Sequence, residues 1–340
     1  MRAAWYENRG PASDVLNVGD LPTPSLQPGE VLVRIRATAV NPSDTKSRSG
    51  AGARANSFTR IIPHQDGAGV IEAVGEGVDA SRIGERVWIY EAQLNRPFGC
   101  AADYTAVPSI NAVALPDNTS FEEGACLGVP AMTAYECVMA DGPVADKVVL
   151  VTGGAGAVGF YAIQFARLQG ATVITTVSTE EQAKIARHAG ATHVIFRKTE
   201  DIAARIAEIT GAPGGRGVDR IVEVSFGANL DTSLKVLRPG GVIATYASDQ
   251  VPEPALPFWP LIALCVTVRF VLVYLLSREA HDAAIAAITE GLKNKQLKHS
   301  IASRYSLDQI VAAHEAQESG KTVGKIIVTL ARPLNAQAEN

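Results

Sequence analysis

Two patterns of apolar residues divide the chain near residue 120. Before that point, short apolar or alternating stretches at Val31–Ala39, Gly67–Val78 and Arg86–Tyr90 are separated by Gly and Pro turn signals. Several short strands at close spacing are typical of a small barrel or sandwich. We therefore predict that the first third of the chain is β-rich, with Val31, Val33 and Ile35 on one face of a strand.

After residue 120, strand-like apolar runs alternate with amphipathic helical patterns. The predicted strands are Val148–Val151, Thr172–Val177, His193–Phe196, Asp219–Val224 and Val242–Tyr246. The predicted helices are Val158–Gln169, Glu180–Ala189, Ile202–Thr210 and Leu230–Leu237. This alternation predicts a parallel sheet covered by helices on both faces. Helices at Arg278–Lys293 and Leu307–Ser319 and a closing strand at Lys325–Leu330 follow.

The segment Phe258–Leu276 is almost wholly apolar over 19 residues, close to the length of a membrane-spanning helix. Pro260 stands near its start, and a charge such as Arg269 in its middle costs about 2.5–3.5 kcal/mol on insertion. Its second half is rich in Val, Phe and Tyr. The sequence therefore predicts a short helix followed by a buried strand, with no membrane span.

Composition and charge narrow the class of protein. The 340 residues are 47% hydrophobic and 19% charged, which suits a globular protein of two domains. The net charge is −4 with no block of like charge, so no nucleic-acid partner is expected. The N-terminus has no signal-peptide run, and Cys100, Cys126, Cys137 and Cys265 form no C-x-x-C pair. A cytoplasmic protein with reduced thiols is predicted.

The strongest chemical signal is a glycine-rich loop that follows the strand Val148–Val151 and opens a helix. Gly154, Gly156 and Gly159 have the G-x-G-x-x-G spacing of dinucleotide sites. Glycine permits the tight turn, and the amides and dipole of the helix N-terminus stabilise a pyrophosphate. The alternative is a turn that serves packing only. We predict a cofactor loop formed by Gly154, Ala155, Gly156, Ala157, Val158 and Gly159.

The end of the next strand distinguishes NAD from NADP. An acid there would bind the ribose hydroxyls and repel a 2′-phosphate, but this position is Ser178. Lys184 in the following helix and Arg197 after the third strand can supply positive charge to a phosphate. Glu180 and Glu181 at the helix start count against this interpretation. The prediction is NADPH.

Several motifs, taken in order, resemble the medium-chain dehydrogenase/reductase superfamily, and more closely its zinc-free quinone oxidoreductase (zeta-crystallin-like) branch. They are the glycine loop, Pro28–Val33, Ala39–Asp44, Gly67–Ile71, Gly217–Asp219, Leu237–Gly241 and Val323–Ile326. The resemblance implies an α/β fold, with a Rossmann-type doubly wound parallel sheet and a β-rich GroES-like partly closed barrel domain. It places the GroES-like catalytic domain at residues 1–126 and 277–340 and the dinucleotide-binding domain at residues 127–276.

The assignment to the zinc-free branch depends on whether residues that can bind zinc are present at the ligand positions. The zinc-ligand positions of the zinc alcohol dehydrogenases resemble Asn41, Gln65 and Val129 here. A catalytic zinc needs about three Cys, His or carboxylate ligands, and Val129 cannot ligate. A weak site using His64 and Asp66 is the alternative. We predict that the protein uses no metal.

Without a Lewis acid, an unactivated alcohol is a poor substrate, whereas a conjugated acceptor takes a hydride readily. The resemblance therefore implies an NADPH-dependent quinone reductase with a small-molecule substrate. The alternatives are a reductase of α,β-unsaturated ketones or aldehydes (an enone or enoyl reductase), a zinc-type alcohol dehydrogenase, and a protein that binds NADPH without catalysis.

The resemblance also implies the remaining site residues. It directs the amide of Asn41 toward the nicotinamide or the substrate oxygen and places Thr133 beside the nicotinamide ring. These are the two catalytic candidates, and both would also bind cofactor. Their ordinary alternatives are a turn-forming Asn before Pro and a helix-interior Thr. The residues implied to flank the nicotinamide half are Gly227, Tyr246, Ala247 and Ser248.

The apolar stretch Val266–Tyr274 resembles the last strand of the family's cofactor domain, which lies at a sheet edge. An exposed apolar edge is an aggregation hazard unless it is paired. Pairing across a two-fold axis forms an isologous dimer. A homodimer through this strand is therefore predicted.

Overall fold

The computed structural model describes residues 1–51 and 58–330 of the chain. The chain forms two compact units, residues 130–286 and residues 1–129 with the chain from 287 onward. The predicted domain limits after residues 126 and 276 differ from these limits by three and ten residues. Residues 331–340, part of the predicted GroES-like domain, lie outside the described residues.

The chain contributes helices and strands to both units. The strands are β1 (Arg2–Trp5), β2 (Asn17–Asp20), β3 (Glu30–Val40), β4 (Asp66–Val74), β5 (Arg86–Ile89), β6 (Tyr104–Pro108), β7 (Ala112–Ala114), β8 (Val148–Val151), β9 (Thr172–Val177), β10 (His193–Phe196), β11 (Val218–Glu223), β12 (Leu237–Thr245), β13 (Thr267–Phe270), β14 (Ile301–Ser306) and β15 (Lys325–Thr329). The helices are α1 (Ala12–Val15), α2 (Pro42–Ser49), α3 (Phe121–Gly124), α4 (Gly128–Met139), α5 (Ala157–Leu168), α6 (Glu180–Ala189), α7 (Ile202–Thr210), α8 (Phe226–Val236), α9 (Phe258–Ala263), α10 (Arg278–Lys293) and α11 (Ile310–Glu318).

The unit 130–286 is built on a six-stranded parallel sheet with the order β10-β9-β8-β11-β12-β13. The chain order reverses between β8 and β11, and doubly wound sheets bind ligands at the carboxyl ends of the strands at such a point. Leu150, Ile174, Ile221 and Ile243 from four adjacent strands are buried in its core. The predicted Rossmann-type sheet is confirmed.

Helix α8 begins at Phe226 rather than at Leu230, because tertiary contacts satisfy its first amides. The amide of Phe226 donates to the carbonyl of Ala247 at 3.0 Å, and the amide of Gly227 donates to Ser248 Oγ at 2.9 Å. Neither acceptor is visible from the local sequence of the helix. Strand β12 begins at Leu237, five residues before the predicted Val242, and ends at Thr245, one residue before the predicted Tyr246.

The segment Phe258–Leu276 forms a short helix and a strand, but the strand is not buried. Strand β13 covers only part of the predicted Val266–Tyr274 and lies at the end of the sheet, paired with β12. Phe270 is 71% exposed. The prediction of a buried strand was wrong, because β-branched and aromatic residues favour edge and central strands alike. No helix within residues 1–51 and 58–330 is long and apolar enough to cross a membrane.

The other unit contains a seven-stranded sheet with the order β14-β15-β3-β4-β5-β7, in which β6 also pairs with β3. Its pairs are antiparallel except for β14 with β15. Register shifts between β3 and β4 follow Leu32 and Ile35, and such bulges bend a strand. Val31, Val33 and Ile35 lie in one core, as their alternation predicts. The β-rich GroES-like domain is confirmed.

Candidate functional site

The loop between β8 and α5, residues 152–156, is held by the neighbouring strand. Gly153 N donates to Thr176 Oγ1 at 3.2 Å, and Gly154 N donates to the Thr176 carbonyl at 3.3 Å. Gly156 N donates to the carbonyl of Gly153 at 2.9 Å. Since these amides serve the loop itself, the amides that an anion can bind are those of the first turn of α5, at Ala157 and Val158.

Two glycines at this loop have no room for a side chain. A Cβ on Gly154 would lie 2.0 Å from Thr175 Oγ1, and a Cβ on Gly159 would lie 2.5 Å from the Gly153 carbonyl oxygen. The close contact between α5 and the loop therefore depends on glycine at both positions. A glycine turn that leads into a helix N-terminus fits a pyrophosphate, so the residues present fit a dinucleotide.

Ser178 and Arg197 meet beyond the ends of β9 and β10. Arg197 Nε donates to Ser178 Oγ at 2.7 Å, and Arg197 is exposed. Lys184 is an exposed residue of α6, and Glu180 at the start of that helix forms an ion pair with Arg187 at 2.8 Å. The structure thus brings Arg197, one of the two cations predicted to bind a 2′-phosphate, into contact with Ser178 at the strand end. Glu180, one of the two opposing acids, pairs with Arg187 instead.

The predicted residues after β11 and β12 also lie together. The amide of Gly227 contacts Ser248 Oγ, and a Cβ on Gly227 would lie 2.4 Å from the carbonyl oxygen of Val251. Tyr246 and Ala247 lie between β12 and Ser248 and are half-buried. Thr133, the other predicted residue of this unit, is buried in α4.

Glu223, the last residue of β11, is completely buried and was not among the predicted site residues. Its Oε1 accepts hydrogen bonds from Thr152 Oγ1 at 3.0 Å, Ser225 N at 2.6 Å and Asn229 Nδ2 at 2.8 Å. Burial raises the pKa of Glu223, and these donors oppose the rise. An acid at the end of a predicted apolar strand was the one sequence signal, and no motif includes it.

In the other unit, the register of β3 brings distant residues together. Ala39 pairs with Asp66, the first residue of β4, and Val40 pairs with Ile326, the second residue of β15. Asn41 follows β3 directly, so it lies beside the starts of both neighbouring strands. Lys325, the first residue of β15, was missed as a site residue because only this topology places it beside Asn41.

Asn41, Asp44, Asp66 and Lys325 form a buried group that we name the Lys325 cluster. Lys325 Nζ donates to Asn41 Oδ1 and lies 3.8 Å from Asp66 Oδ2, and Asn41 Nδ2 donates to Asp66 Oδ2 at 2.8 Å. Asp66 Oδ1 also accepts the amide of Val129 at 2.9 Å. The Asn41 amide is therefore held at both its oxygen and its nitrogen.

Burial dominates the electrostatics of the Lys325 cluster. It raises the pKa of Asp66 and lowers the pKa of Lys325, and the attraction between the two opposes both shifts. Burial and the nearby charge of Asp66 raise the pKa of Asp44 to about 7. Asp66 and Lys325 therefore each depend on the opposite charge of the other to remain ionised.

Two buried histidines, His64 and His314, extend the hydrogen-bond network of the Lys325 cluster. Thr38 Oγ1 donates to the Asp66 carbonyl at 2.5 Å, so its oxygen accepts from His64 Nδ1 at 3.1 Å. His64 Nε2 then accepts from His314 Nε2 at 3.0 Å. Burial lowers the pKa of both rings, that of His314 to about 3, so both are neutral near pH 7.

Two family models match the chain. The one described as an alcohol dehydrogenase GroES-like domain matches residues 27–162, and the one described as a zinc-binding dehydrogenase matches residues 157–290. The quinone oxidoreductase of Lama guanicoe is 32% identical over 332 residues, 97% of this chain and 98% of its own. The 2-haloacrylate reductase of a Burkholderia species is 30% identical over 347 residues, with coverage of 96% and 98%.

Solved structures share the whole fold. An NAD-dependent alcohol dehydrogenase has a TM-score of 0.87 and 26% identity, with 97% of this chain and 100% of that chain covered. Escherichia coli quinone oxidoreductase complexed with NADPH has a TM-score of 0.84, 26% identity and the same coverage. The fold and the matches define an oxidoreductase of the medium-chain dehydrogenase/reductase superfamily. Within that superfamily, the chain belongs to the quinone oxidoreductase branch.

One matching model is named for zinc, but the donor set of this chain does not fit a catalytic zinc. The oxygen of Asn41 already accepts from Lys325, and Val129 offers only hydrocarbon. A divalent cation beside Asp66 would also face the Lys325 ammonium, which it repels. Across the described ranges, no three His, Cys, Asp or Glu side chains are placed to hold one metal ion.

Proposed function

We propose that the protein is an NADPH-dependent quinone reductase that needs no metal ion. The observation that carries the proposal is the 32% identity to the Lama guanicoe quinone oxidoreductase over 97% of this chain. The first turn of α5 would hold the pyrophosphate, and Ser178, Lys184 and Arg197 would hold the 2′-phosphate. When bound, NADPH supplies a hydride.

The role of the protein is then to position an electron-poor acceptor and to donate hydrogen bonds to its oxygen. We assign these contacts to Asn41 and Thr133. Lys325 and Asp66 hold the Asn41 amide so that its second N–H has a defined direction. No reorganisation of that amide is then required during the reaction, which is the condition for efficient electrostatic stabilisation.

An acceptor panel tests the proposed function. A reductase of activated alkenes is the second candidate, because the Burkholderia 2-haloacrylate reductase is 30% identical over 96% of this chain. With NADPH, we expect kcat/KM for a benzoquinone or naphthoquinone to exceed that for a 2-haloacrylate or an enone by about tenfold or more. The reverse order would favour the alkene reductase, and turnover of neither acceptor would overturn both candidates.

The cofactor preference depends on Lys184 and Arg197. Replacing both with Ala removes two charge-assisted contacts of roughly 1.5–3 kcal/mol each, which corresponds to a rise of about a hundredfold or more in the Kd of NADPH. The Kd of NADH should change by less than about threefold, because NADH lacks the phosphate. Fluorescence titration measures both constants. Lys235→Ala, at an exposed lysine of α8, is the control. Equal weakening of both cofactors would contradict the assignment.

We further propose a homodimer through the edge strand β13. Phe270 is 71% exposed, Leu275 is 75% exposed and Trp259 is 76% exposed, so an apolar surface surrounds this edge. Light scattering at micromolar concentration should give twice the mass of one chain, and Phe270→Glu should shift it to the monomer. Ile110→Glu, at a residue 56% exposed in the other unit, should leave the dimer intact. A monomer for the unmodified protein would refute the proposal.

The state of the cysteines supports a proposed location in the cytoplasm. Cys100, Cys126 and Cys137 are buried free thiols, and Cys265 is an exposed free thiol. An exposed free thiol persists most readily in a reducing compartment.

A further inference from the structure

The two carboxylate oxygens of Glu223 have unequal environments. Oε1 accepts three hydrogen bonds, whereas Oε2 is buried and has no hydrogen-bond partner among the described residues. Ser225 Oγ, two residues later, is also buried without a partner in the described part of the chain. An unpaired buried polar group costs roughly 1–3 kcal/mol, so folded proteins seldom retain one without a reason. Both residues lie at or just after the end of β11, and the described part of the chain leaves both atoms unsatisfied.

The position of Glu223 in the sheet indicates what could satisfy its Oε2. Glu223 ends β11, and β11 adjoins β8 at the reversal of strand order. A dinucleotide lies across this reversal, with one mononucleotide on each half of the sheet. The phosphate-binding loop and the Ser178–Arg197 pair belong to the half that runs from β8 to β10. The half that runs from β11 to β13 therefore faces the nicotinamide mononucleotide.

We propose that Glu223 is a cofactor-binding residue whose Oε2 accepts a hydrogen bond from the nicotinamide half of NADPH, either from the carboxamide NH₂ or from a ribose hydroxyl. This inference rests on the proposed function and extends it to a residue that no sequence motif identifies. Burial raises the pKa of Glu223, but the three donors on Oε1 stabilise the ionised carboxylate, in which Oε2 is an acceptor. Exclusion of water strengthens the bond that it accepts.

The same side chain fixes the walls of the site through Oε1. Thr152 precedes the glycine loop, Ser225 precedes α8, and Asn229 lies in the first turns of α8. One buried carboxylate therefore joins the ends of β8 and β11 to the start of a helix. A substitution that tests Oε2 must leave these three bonds in place.

Glu223→Gln meets this requirement. The amide oxygen of Gln can replace Oε1 as the acceptor for all three donors, while its NH₂ group puts a donor where Oε2 was. We expect the Kd of NADPH to rise about 10- to 100-fold, the equivalent of one lost charge-assisted bond. The Kd of adenosine 2′,5′-bisphosphate, which lacks the nicotinamide half, should stay within about twofold. Calorimetric titration measures both constants without relying on turnover.

A cofactor analogue distinguishes the two donors. The 3-acetylpyridine analogue of NADPH carries a methyl ketone in place of the carboxamide and so lacks the NH₂ group. If the carboxamide is the donor, the unmodified protein should bind this analogue about tenfold more weakly than NADPH, and Glu223→Gln should bind the two alike. If a ribose hydroxyl is the donor, Glu223→Gln should weaken NADPH and the analogue by the same factor. Both results support the proposal.

One control variant and three contrary outcomes keep the test decisive. Asp219→Asn changes a carboxylate in the same strand β11, near its other end, where it accepts from the amide of Val148, and it should leave the Kd of NADPH unchanged. An unchanged Kd of NADPH in Glu223→Gln would overturn the proposal, as would equal weakening of NADPH and the bisphosphate. If the unmodified protein bound neither ligand, the proposed function itself would be wrong, a result that these variants separate from failure of the Glu223 assignment.

Discussion

Lys325→Met is expected to lower the free energy of unfolding by about 3–5 kcal/mol, the usual cost of leaving one member of a buried ion pair without its partner. Lys325 and Asp66 are 4% and 0% exposed, so water cannot replace the lost ammonium. The change also removes the donor to Asn41 Oδ1, which leaves a second buried polar atom unpaired. Urea unfolding followed by tryptophan fluorescence measures the loss, because Trp88 is fully buried in the same unit.

The loss should also depend on pH. Without the ammonium, the pKa of Asp66 rises further above its usual 3.8, since burial already raises it. Between the usual and the raised pKa, the native state binds more protons than the unfolded state, so stability falls as pH rises through this range. The destabilisation of Lys325→Met should therefore be larger at pH 8 than at pH 5.

Two further variants control this prediction. Lys321→Met removes an exposed lysine four residues earlier and should cost less than about 0.5 kcal/mol. Adding Asp66→Asn to Lys325→Met removes the unpaired charge and should recover part of the stability. A loss below about 1 kcal/mol for Lys325→Met, or no recovery in the double variant, would show that the ion pair is not a stabilising unit.

Gly159→Ala is expected to raise the Kd of NADPH by about a hundredfold or more. The new Cβ would lie 2.5 Å from the Gly153 carbonyl and 3.0 Å from Gly154 Cα, and both are backbone atoms that cannot rotate away. The loop must then separate from α5. Two amide bonds to the pyrophosphate at roughly 1.5–3 kcal/mol each would be weakened or lost. Fluorescence titration of NADPH measures the effect.

Gly291→Ala is the matched control for this loop. Gly291 also lies in a helix, α10, and its Cβ would meet the Leu297 side chain at 2.7 Å, so it too creates a steric conflict. It should lower stability while leaving the Kd of NADPH within about twofold. Equal effects of the two variants on NADPH binding would show that Gly159 acts only through general stability.

The sequence was sufficient wherever function depends on local pattern. The order strand, glycine loop and helix around Gly154, Gly156 and Gly159 requires only neighbouring residues, and the structure places that loop at the reversal of strand order. The β-α alternation likewise predicted strands such as Thr172–Val177 and helices such as Glu180–Ala189 with the bounds that the structure shows. Periodicity and turn chemistry are properties of short windows, so they can be read without knowledge of the fold.

The sequence was insufficient for features that depend on which strands pair and which side chains are buried. Val266–Tyr274 has the composition of a buried strand, yet β13 is shorter and lies at the sheet edge with Phe270 exposed. Arg197 and Ser178 could be proposed separately, but their contact depends on the parallel pairing of β9 and β10. Composition does not determine which strand becomes the edge, because that depends on how the whole sheet is ordered.

From the sequence alone followed the class of fold, the dinucleotide loop and the charge that favours a 2′-phosphate, because each depends on residues close together in the chain. Tertiary structure alone decided that Lys325 would share a buried cluster with Asn41 and Asp66, and that Glu223 would be buried at the end of β11 with one carboxylate oxygen unpaired among the described residues. The reason is physical. A charged side chain acquires its chemistry from the partners and the loss of water that burial imposes, and strand pairing across hundreds of residues selects those partners.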